Sequence, residues 1–236
     1  MSVNVTFVCT GNTCRSFIAE AIARHLMDEK YQAYRDYVRI RSAGTLVKEK
    51  GEVSEMASQS LKESGILVPD TKPSLINQKM IDESDLLLVM SMNHKQHICK
   101  RYRDACDKSF PIKAFAAMVD DFADDLKDER TGALFNQNVN RKYRNSSNVA
   151  QLQRENSPAQ GEETVIEAEV KSLARIYALI NRKKFKQLES SLDKDIALQV
   201  KYEIPDPIGM ELDTYISVVK ELTTDIETIF DFLFAG

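Results

Sequence analysis

The chain has 236 residues, enough for one well-packed domain or for a small domain carrying an addition. Its 43% hydrophobic and 29% charged residues suit an ordinary globular protein, and a net charge of −4 speaks against nucleic acid as the main partner, because phosphate backbones call for a basic face. The start has neither the basic stretch nor the long apolar run of a secretory leader, and the longest clearly apolar stretch, residues 86–90, is too short to cross a bilayer. Four cysteines (Cys9, Cys14, Cys99 and Cys106) do not make a disulfide scaffold in a chain this long, so a reducing, cytoplasmic setting with available thiols is expected.

In chain order, Val3-Asn4-Val5-Thr6-Phe7-Val8 alternates and then turns apolar, as a strand entering a buried parallel sheet does. After the polar stretch Cys9-Thr10-Gly11-Asn12-Thr13-Cys14-Arg15-Ser16, the residues Ile18, Ile22 and Leu26 fall on one helical face. Tyr37-Val38-Arg39-Ile40 reads as a second strand that ends at Ser42-Ala43-Gly44-Thr45, and residues 54–63 read as a helix stopped by Gly65. A buried strand over 85–89, a helix over 94–102, and a short edge strand at Phe110-Pro111-Ile112 follow. Tyr215, Val219, Leu222, Ile226, Ile229 and Leu233 mark a terminal helix. The pattern predicts an α/β fold with a four-stranded parallel sheet and helices on both faces.

Residues 119–202 break that rhythm. The run Asp120, Asp121, Asp124, Asp125 and Asp128 reads as a solvated face, and residues 136–163, rich in Asn, Gln, Ser and Arg, read as a mobile loop. Ile166, Val170, Leu173, Tyr177 and Ile180 then form an amphipathic stripe in need of a partner surface. We therefore expect a discontinuous core, 1–118 and 203–236, interrupted by an insertion over 119–202 that is flexible first and helical later.

The chemistry points to residues 9–16. A cysteine between a strand and a helix sits where unpaired N–H groups and the helix dipole converge, which favours a thiolate. Gly11 and Asn12 tolerate positive φ and let the backbone curl around an anion. Arg15 brings a planar fork that holds two phosphoryl oxygens, and the Ser16 hydroxyl is placed to donate to the sulfur. Together these residues describe a cradle for a tetrahedral dianion above a nucleophile.

This stretch, with Ala19-Glu20-Ala21, Ser42-Ala43-Gly44-Thr45, the strand leading to Met90 and His94, and Asp206-Pro207, resembles the low-molecular-weight protein tyrosine phosphatase family. The resemblance covers residues 3–118 and 203–236. It implies a flavodoxin-like sheet and a metal-free hydrolysis, without cofactor, through a phosphocysteine intermediate. It makes Cys9 the nucleophile and Asp206, between Pro205 and Pro207, the acid that protonates the leaving group. Thr10, Gly11, Asn12, Thr13, Cys14, Arg15 and Ser16 would bind phosphate, and Ser42 would tether Asn12. Cys14 either packs under the loop or, as the family suggests, forms a reversible disulfide with Cys9 under peroxide.

The expected partner is a phosphorylated protein or peptide, with phosphotyrosine favoured and no nucleic acid or membrane involved. Thr13 resembles the same loop position of bacterial protein-arginine phosphatases, which keeps phosphoarginine open. Ile208 and Gly209 stand where tyrosine-specific members carry aromatic residues; Tyr143 or Tyr177 of the insertion are alternative sources of a ring wall. Phe17 replaces the usual proline of the first helical turn, without consequence for chemistry. Arsenate reduction is a further alternative, since Cys99 and Cys106 share the spacing of a thioredoxin-coupled relay, although Ser91-Met92 occupies the place of its first cysteine. Phosphate-dependent binding without turnover is another. His94 and His97 read as a helix surface rather than a metal site, because no third ligand stands at a recognisable spacing.

Overall fold

The structure, a computed structural model, describes residues 2–48, 51–126, 176 and 183–234. Strands β1 (Val3–Cys9), β2 (Val38–Gly44), β3 (Leu86–Val89) and β4 (Ser109–Pro111) form one parallel sheet in the order β2-β1-β3-β4. The chain leaves β1 for one neighbour and later crosses back to the other. Such a reversal opens a crevice at the C-terminal ends of the strands, and the loop after β1 lies there.

The period-two pattern sorts the strands between two faces. Val3, Val5 and Phe7 of β1 join Leu86 and Leu88 on the side covered by α1 (Arg15–Glu29) and the terminal helix. Val8, Leu87 and Val89 face the other way, towards Ile81 of α3 (Gln78–Glu83) and Ile98 of α4 (Met92–Arg101). Because β3 is covered on both faces, it needs four consecutive large apolar residues rather than an alternation. Helix α2 (Glu55–Glu63) begins where the Ser54 hydroxyl accepts from the Ala57 N–H, and it ends before Gly65 at φ +72°.

Helix α5 (Ile112–Leu126) corrects the reading of the region after β4. Phe115, Met118 and Val119 are buried while Asp120 and Asp121 are exposed, so the acidic run begins on the outer face of a core helix. The expected boundary at residue 118 falls inside this unbroken helix. The stripe over 166–180, the loop over 136–163, Tyr143 and Tyr177 lie outside the described residues.

The last part of the expected insertion returns to the core as α6 (Lys183–Leu192) and α7 (Ile196–Lys201). Phe185 meets Phe110 edge-on with ring centroids 4.8 Å apart, and Leu192 is buried with Met92 and Ala114. Glu189 pairs with Lys95 of α4. Ile204, after α7, donates its N–H to the Met90 carbonyl at 2.9 Å, which lays the following loop against the end of β3. The terminal helix α8 (Leu212–Phe234) buries all six residues of the expected stripe.

Candidate active site

Residues 10–14 form a tight loop between β1 and α1. Two of its carbonyls and that of the preceding Cys9 are turned outward: Cys9 O accepts from Thr45 N, Thr10 O from Leu46 N, and Thr13 O from Ser54 N, at 2.8–2.9 Å. Outward carbonyls leave the intervening N–H groups free to converge inward, as an anion cradle requires. The approach of β2 is so close that a Cβ on Gly44 would stand 2.6 Å from Thr10 O, so only glycine fits at that strand end.

Asn12 sets the curl. It is the one non-glycine residue with positive φ among the described residues, at +55°, and it is buried. Its Nδ2 donates to Ser42 Oγ at 2.7 Å and to Ser16 Oγ at 3.0 Å, and its Oδ1 accepts from Ser74 N at 2.8 Å. Since Ser16 Oγ accepts from Asn12, its own hydrogen is available to Cys9 Sγ, 3.0 Å away, with Ala43 O more distant at 3.3 Å. Ser42 in turn donates to Glu20 Oε2 at 2.5 Å, and buried Glu20 is balanced by Arg24 at 2.8 Å.

Arg15 is buried at 4% exposure, and its guanidinium makes two hydrogen bonds to the loop over residues 204–206. Nη1 donates to Ile204 O at 3.2 Å and Nη2 to Asp206 Oδ2 at 2.5 Å. Asp206 itself is 42% exposed, on a turn closed by the Met210 N–H to Pro207 O bond with Gly209 at φ +83°. That turn presents Ile208 and Met210 to solvent, and Leu46 is exposed beside the loop. Cys9 and Cys14 are both buried free thiols. Burial pushes the Cys14 thiol far up, with Cys9 and Asp206 adding to it, so Cys14 remains protonated and a poor nucleophile.

Two features differ from the sequence reading. Cys99 and Cys106 are not available thiols; their Cα atoms are 5.1 Å apart and their sulfurs form a disulfide. The 3₁₀ turn Arg103–Lys108 folds back on the end of α4, which brings two residues seven apart together. His94 is not on the helix surface. Helix α4 begins at Met92, two residues earlier than read, so His94 lies in its first turn and is buried on the same face as Ile98, four residues on. His94 Nε2 lies 2.9 Å from Thr10 Oγ1 and Nδ1 lies 2.7 Å from Ser91 Oγ. Burial, then Arg15 and His97, push the imidazole down to about 4, so it is neutral near pH 7. Phe17 is buried in the core. Among the described residues no cluster of three metal-ligating side chains occurs.

Sequence reasoning named Glu20 and His94 within the resemblance but gave no part in this site to Glu20, Ser74, Ser91 or His94. For His94 a signal existed in its spacing from Ile98. Ser74 contributes through its backbone, where residue type carries no trace.

The profile of the low molecular weight phosphotyrosine protein phosphatase family matches residues 4–137. A protein-arginine-phosphatase of Geobacillus stearothermophilus is 38% identical over 125 residues, covering 52% of this chain and 79% of that protein. The low molecular weight protein-tyrosine-phosphatase PtpB of Staphylococcus haemolyticus is 30% identical over 122 residues, covering 52% of this chain and 80% of that protein. Among solved structures, a low molecular weight protein tyrosine phosphatase from T. tengcongensis superposes with a TM-score of 0.56 at 22% identity, covering 98% of this chain and 99% of that one, a likeness of fold. The chain belongs to the low molecular weight phosphotyrosine protein phosphatase family.

Proposed function

We propose that the chain is a protein phosphatase that hydrolyses a phosphorylated side chain through a phosphocysteine intermediate, with phosphotyrosine as the favoured substrate. The observation that carries this reading is the contact of Asp206 Oδ2 with Arg15 Nη2 at 2.5 Å. It sets a carboxyl group from the loop before α8 beside the loop that holds the only buried free thiols among the described residues.

The thiolate of Cys9 attacks phosphorus, an S–P bond forms and the bond to the leaving oxygen breaks. Asp206 gives its proton to that oxygen. Arg15 and the loop amides hold the equatorial oxygens as charge gathers on them. Nη2 has to exchange Asp206 for a phosphoryl oxygen, while Nη1 stays anchored on Ile204 O. Water then attacks phosphorus and passes a proton to the Asp206 carboxylate, and the S–P bond breaks to release phosphate and the thiolate. Ser42 keeps Asn12 in its left-handed conformation throughout. Every step runs on side chains and backbone, without a metal.

Phosphoarginine is the second reading. Thr13 in the loop and the aliphatic Ile208 and Met210 after Asp206, where a phenol ring calls for an aromatic wall, favour it. The similarity to a protein-arginine-phosphatase points the same way. Arsenate reduction is disfavoured because Ser91-Met92 stands where the first cysteine of such a relay comes, while Cys99 lies near the far end of α4. A discontinuous core interrupted by an insertion belongs to this proposal, with the first part of the core running on through α5 (Ile112–Leu126) instead of ending at residue 118, as does a cytoplasmic location; no helix among the described residues is long and apolar enough to cross a membrane.

Turnover of phosphotyrosine and phosphoarginine peptides, side by side and in chelator, tests the reading. Phosphate release from either, lost in Cys9→Ser by about 10⁴-fold or more, is expected. Release from neither sinks it, and the preferred peptide decides between the two substrates.

A further inference from the structure

The end of β3 is tied to both halves of the site. Met90 O holds Ile204, whose carbonyl in turn holds Arg15, and Ser91 holds His94, whose Nε2 reaches Thr10. The phosphatase mechanism above makes no use of His94.

Its proton is fixed by the company it keeps. Ser91 is 3% exposed, and among the described residues His94 Nδ1 is the partner of its hydroxyl. Were Ser91 to accept from an Nδ1–H, its own hydrogen would be buried without an acceptor, an arrangement native interiors avoid. Ser91 therefore donates to Nδ1. The neutral ring then carries its one hydrogen on Nε2, aimed at Thr10 Oγ1 2.9 Å away. With Oγ1 accepting from His94, the hydroxyl hydrogen of Thr10 is left over. Thr10 is exposed while Asn12, Cys14, Arg15 and Ser16 around it are buried, so that hydrogen is at the mouth of the loop.

We propose that Thr10 donates its hydroxyl hydrogen to a non-bridging oxygen of the bound phosphoryl group, and that His94, oriented by Ser91, is the positioning residue that keeps Thr10 a donor. This inference rests on the phosphatase reading of the Cys9 loop. No proton changes owner in this contact; the hydrogen bond strengthens as charge gathers on the oxygens in the transition state. The chain Ser91 to His94 to Thr10 points every hydrogen in one direction, towards the cradle.

Imidazole ¹⁵N NMR of the whole protein reads the first half without reference to activity. The chain has three histidines, and His94→Gln identifies the signal that belongs to His94. The Nε2–H tautomer, with no titration between about pH 5 and 8, is expected. An Nδ1–H tautomer or a titration within that range overturns the proposal.

Inhibition by inorganic phosphate and turnover of p-nitrophenyl phosphate read the second half. Thr10→Val is expected to weaken phosphate inhibition and kcat/KM by about tenfold, and Thr10→Ser to restore most of both. His94→Asn, whose amide nitrogen overlays Nδ1, should reproduce the loss. His94→Gln, whose amide nitrogen reaches the Nε2 position, should rescue it. The double variant Thr10→Val with His94→Asn should lose no more than either single change, where independent roles would multiply to about a hundredfold.

Additive losses, or unchanged phosphate inhibition in Thr10→Val, refute the proposal. If the His94 variants do not fold, as a melting curve will reveal, the exposed Thr10 pair decides alone. Absence of turnover in the wild type would fail the phosphatase reading, whereas the tautomer and phosphate binding would still judge this one.

Discussion

The two loops that meet at Arg15 are built in opposite ways. The loop after β1, the proposed phosphate cradle, is enclosed: carbonyls at its ends are capped by N–H groups of the segment after β2, Asn12 makes three side-chain hydrogen bonds, and Arg15 and Ser16 are buried. The loop of Asp206 is delivered from residue 204 onward, is tied down at Met90 and Arg15, and leaves Asp206, Ile208 and Met210 largely in solvent. The nucleophile proposed at Cys9, which would have to be desolvated and aimed, needs a rigid cradle. The acid proposed at Asp206, which would have to release Arg15, donate a proton and then accept one, needs room to move. Damage to the first loop should therefore cost stability and activity together, and damage to the second should cost activity alone.

Asp206→Asn offers the largest effect on that contrast. It should lower kcat by about 10²–10³ for a phenol ester with a poor leaving group and much less for p-nitrophenyl phosphate, whose phenolate leaves without help. Its melting temperature should stay near that of the wild type. A melting temperature that drops as far as the rate would erase the distinction between the loops.

Asn12→Ala attacks the other side. It removes three hydrogen bonds and puts a Cβ residue without a local partner at φ +55°, with an expected loss of about 2–4 kcal/mol by urea unfolding and at least about tenfold in kcat/KM. Asn12→Gly frees the backbone but restores no hydrogen bond, so it should recover part of the stability. If alanine and glycine behave alike, the left-handed conformation contributes little and the hydrogen bonds carry the loop.

Acid should separate the regions too. His94 is pushed down to about 4, so between about pH 6.5 and 4 the unfolded chain takes up a proton that the folded one refuses, and stability falls as pH falls through that window. In His94→Gln this part of the acid destabilisation should be missing from unfolding curves taken at about pH 7 and 4.5.

The smallest effect belongs to Asp225, remote from both loops. Its Oδ2 has no partner among the described residues, and burial, then Glu221, push its carboxyl up to about 7 against the opposing pull of Lys113. Its folded value lies above the unfolded one, so its contribution is intact below about pH 4 and is lost as pH rises through about 7. Asp225→Asn should therefore raise stability at pH 8 by about 1–2 kcal/mol, after a discount for partial exposure, and do nothing below about pH 4. Calorimetry at both values checks it, with turnover expected to remain at the wild-type level.

Much of the architecture was legible because it is local. The change from period two to period three or four across residues 9–16 announces strand, loop and helix, and the capping Ser54 and terminal Gly65 mark α2 by chemistry that acts within a few residues. Helix α5 was lost for the opposite reason: a cluster of aspartates outweighed the buried Phe115, Met118 and Val119 that share the helix with them. His94 was misread because its burial is decided by what lies across from α4, a loop 84 positions earlier. The disulfide of Cys99 and Cys106 depends on a reverse turn that spacing alone does not announce.

By itself, then, the sequence determined the fold class and singled out the loop and the cysteine proposed as cradle and nucleophile, since these follow from residue types set side by side along the chain. The tertiary structure alone decided that Asp206 lies on Arg15 across 191 positions, that Ser74 N caps Asn12, and that a neutral His94 braces Thr10. Those contacts exist only where β1 and β3 end together, because hydrogen bonds reach about 3 Å and the sheet is what brings distant segments within that reach.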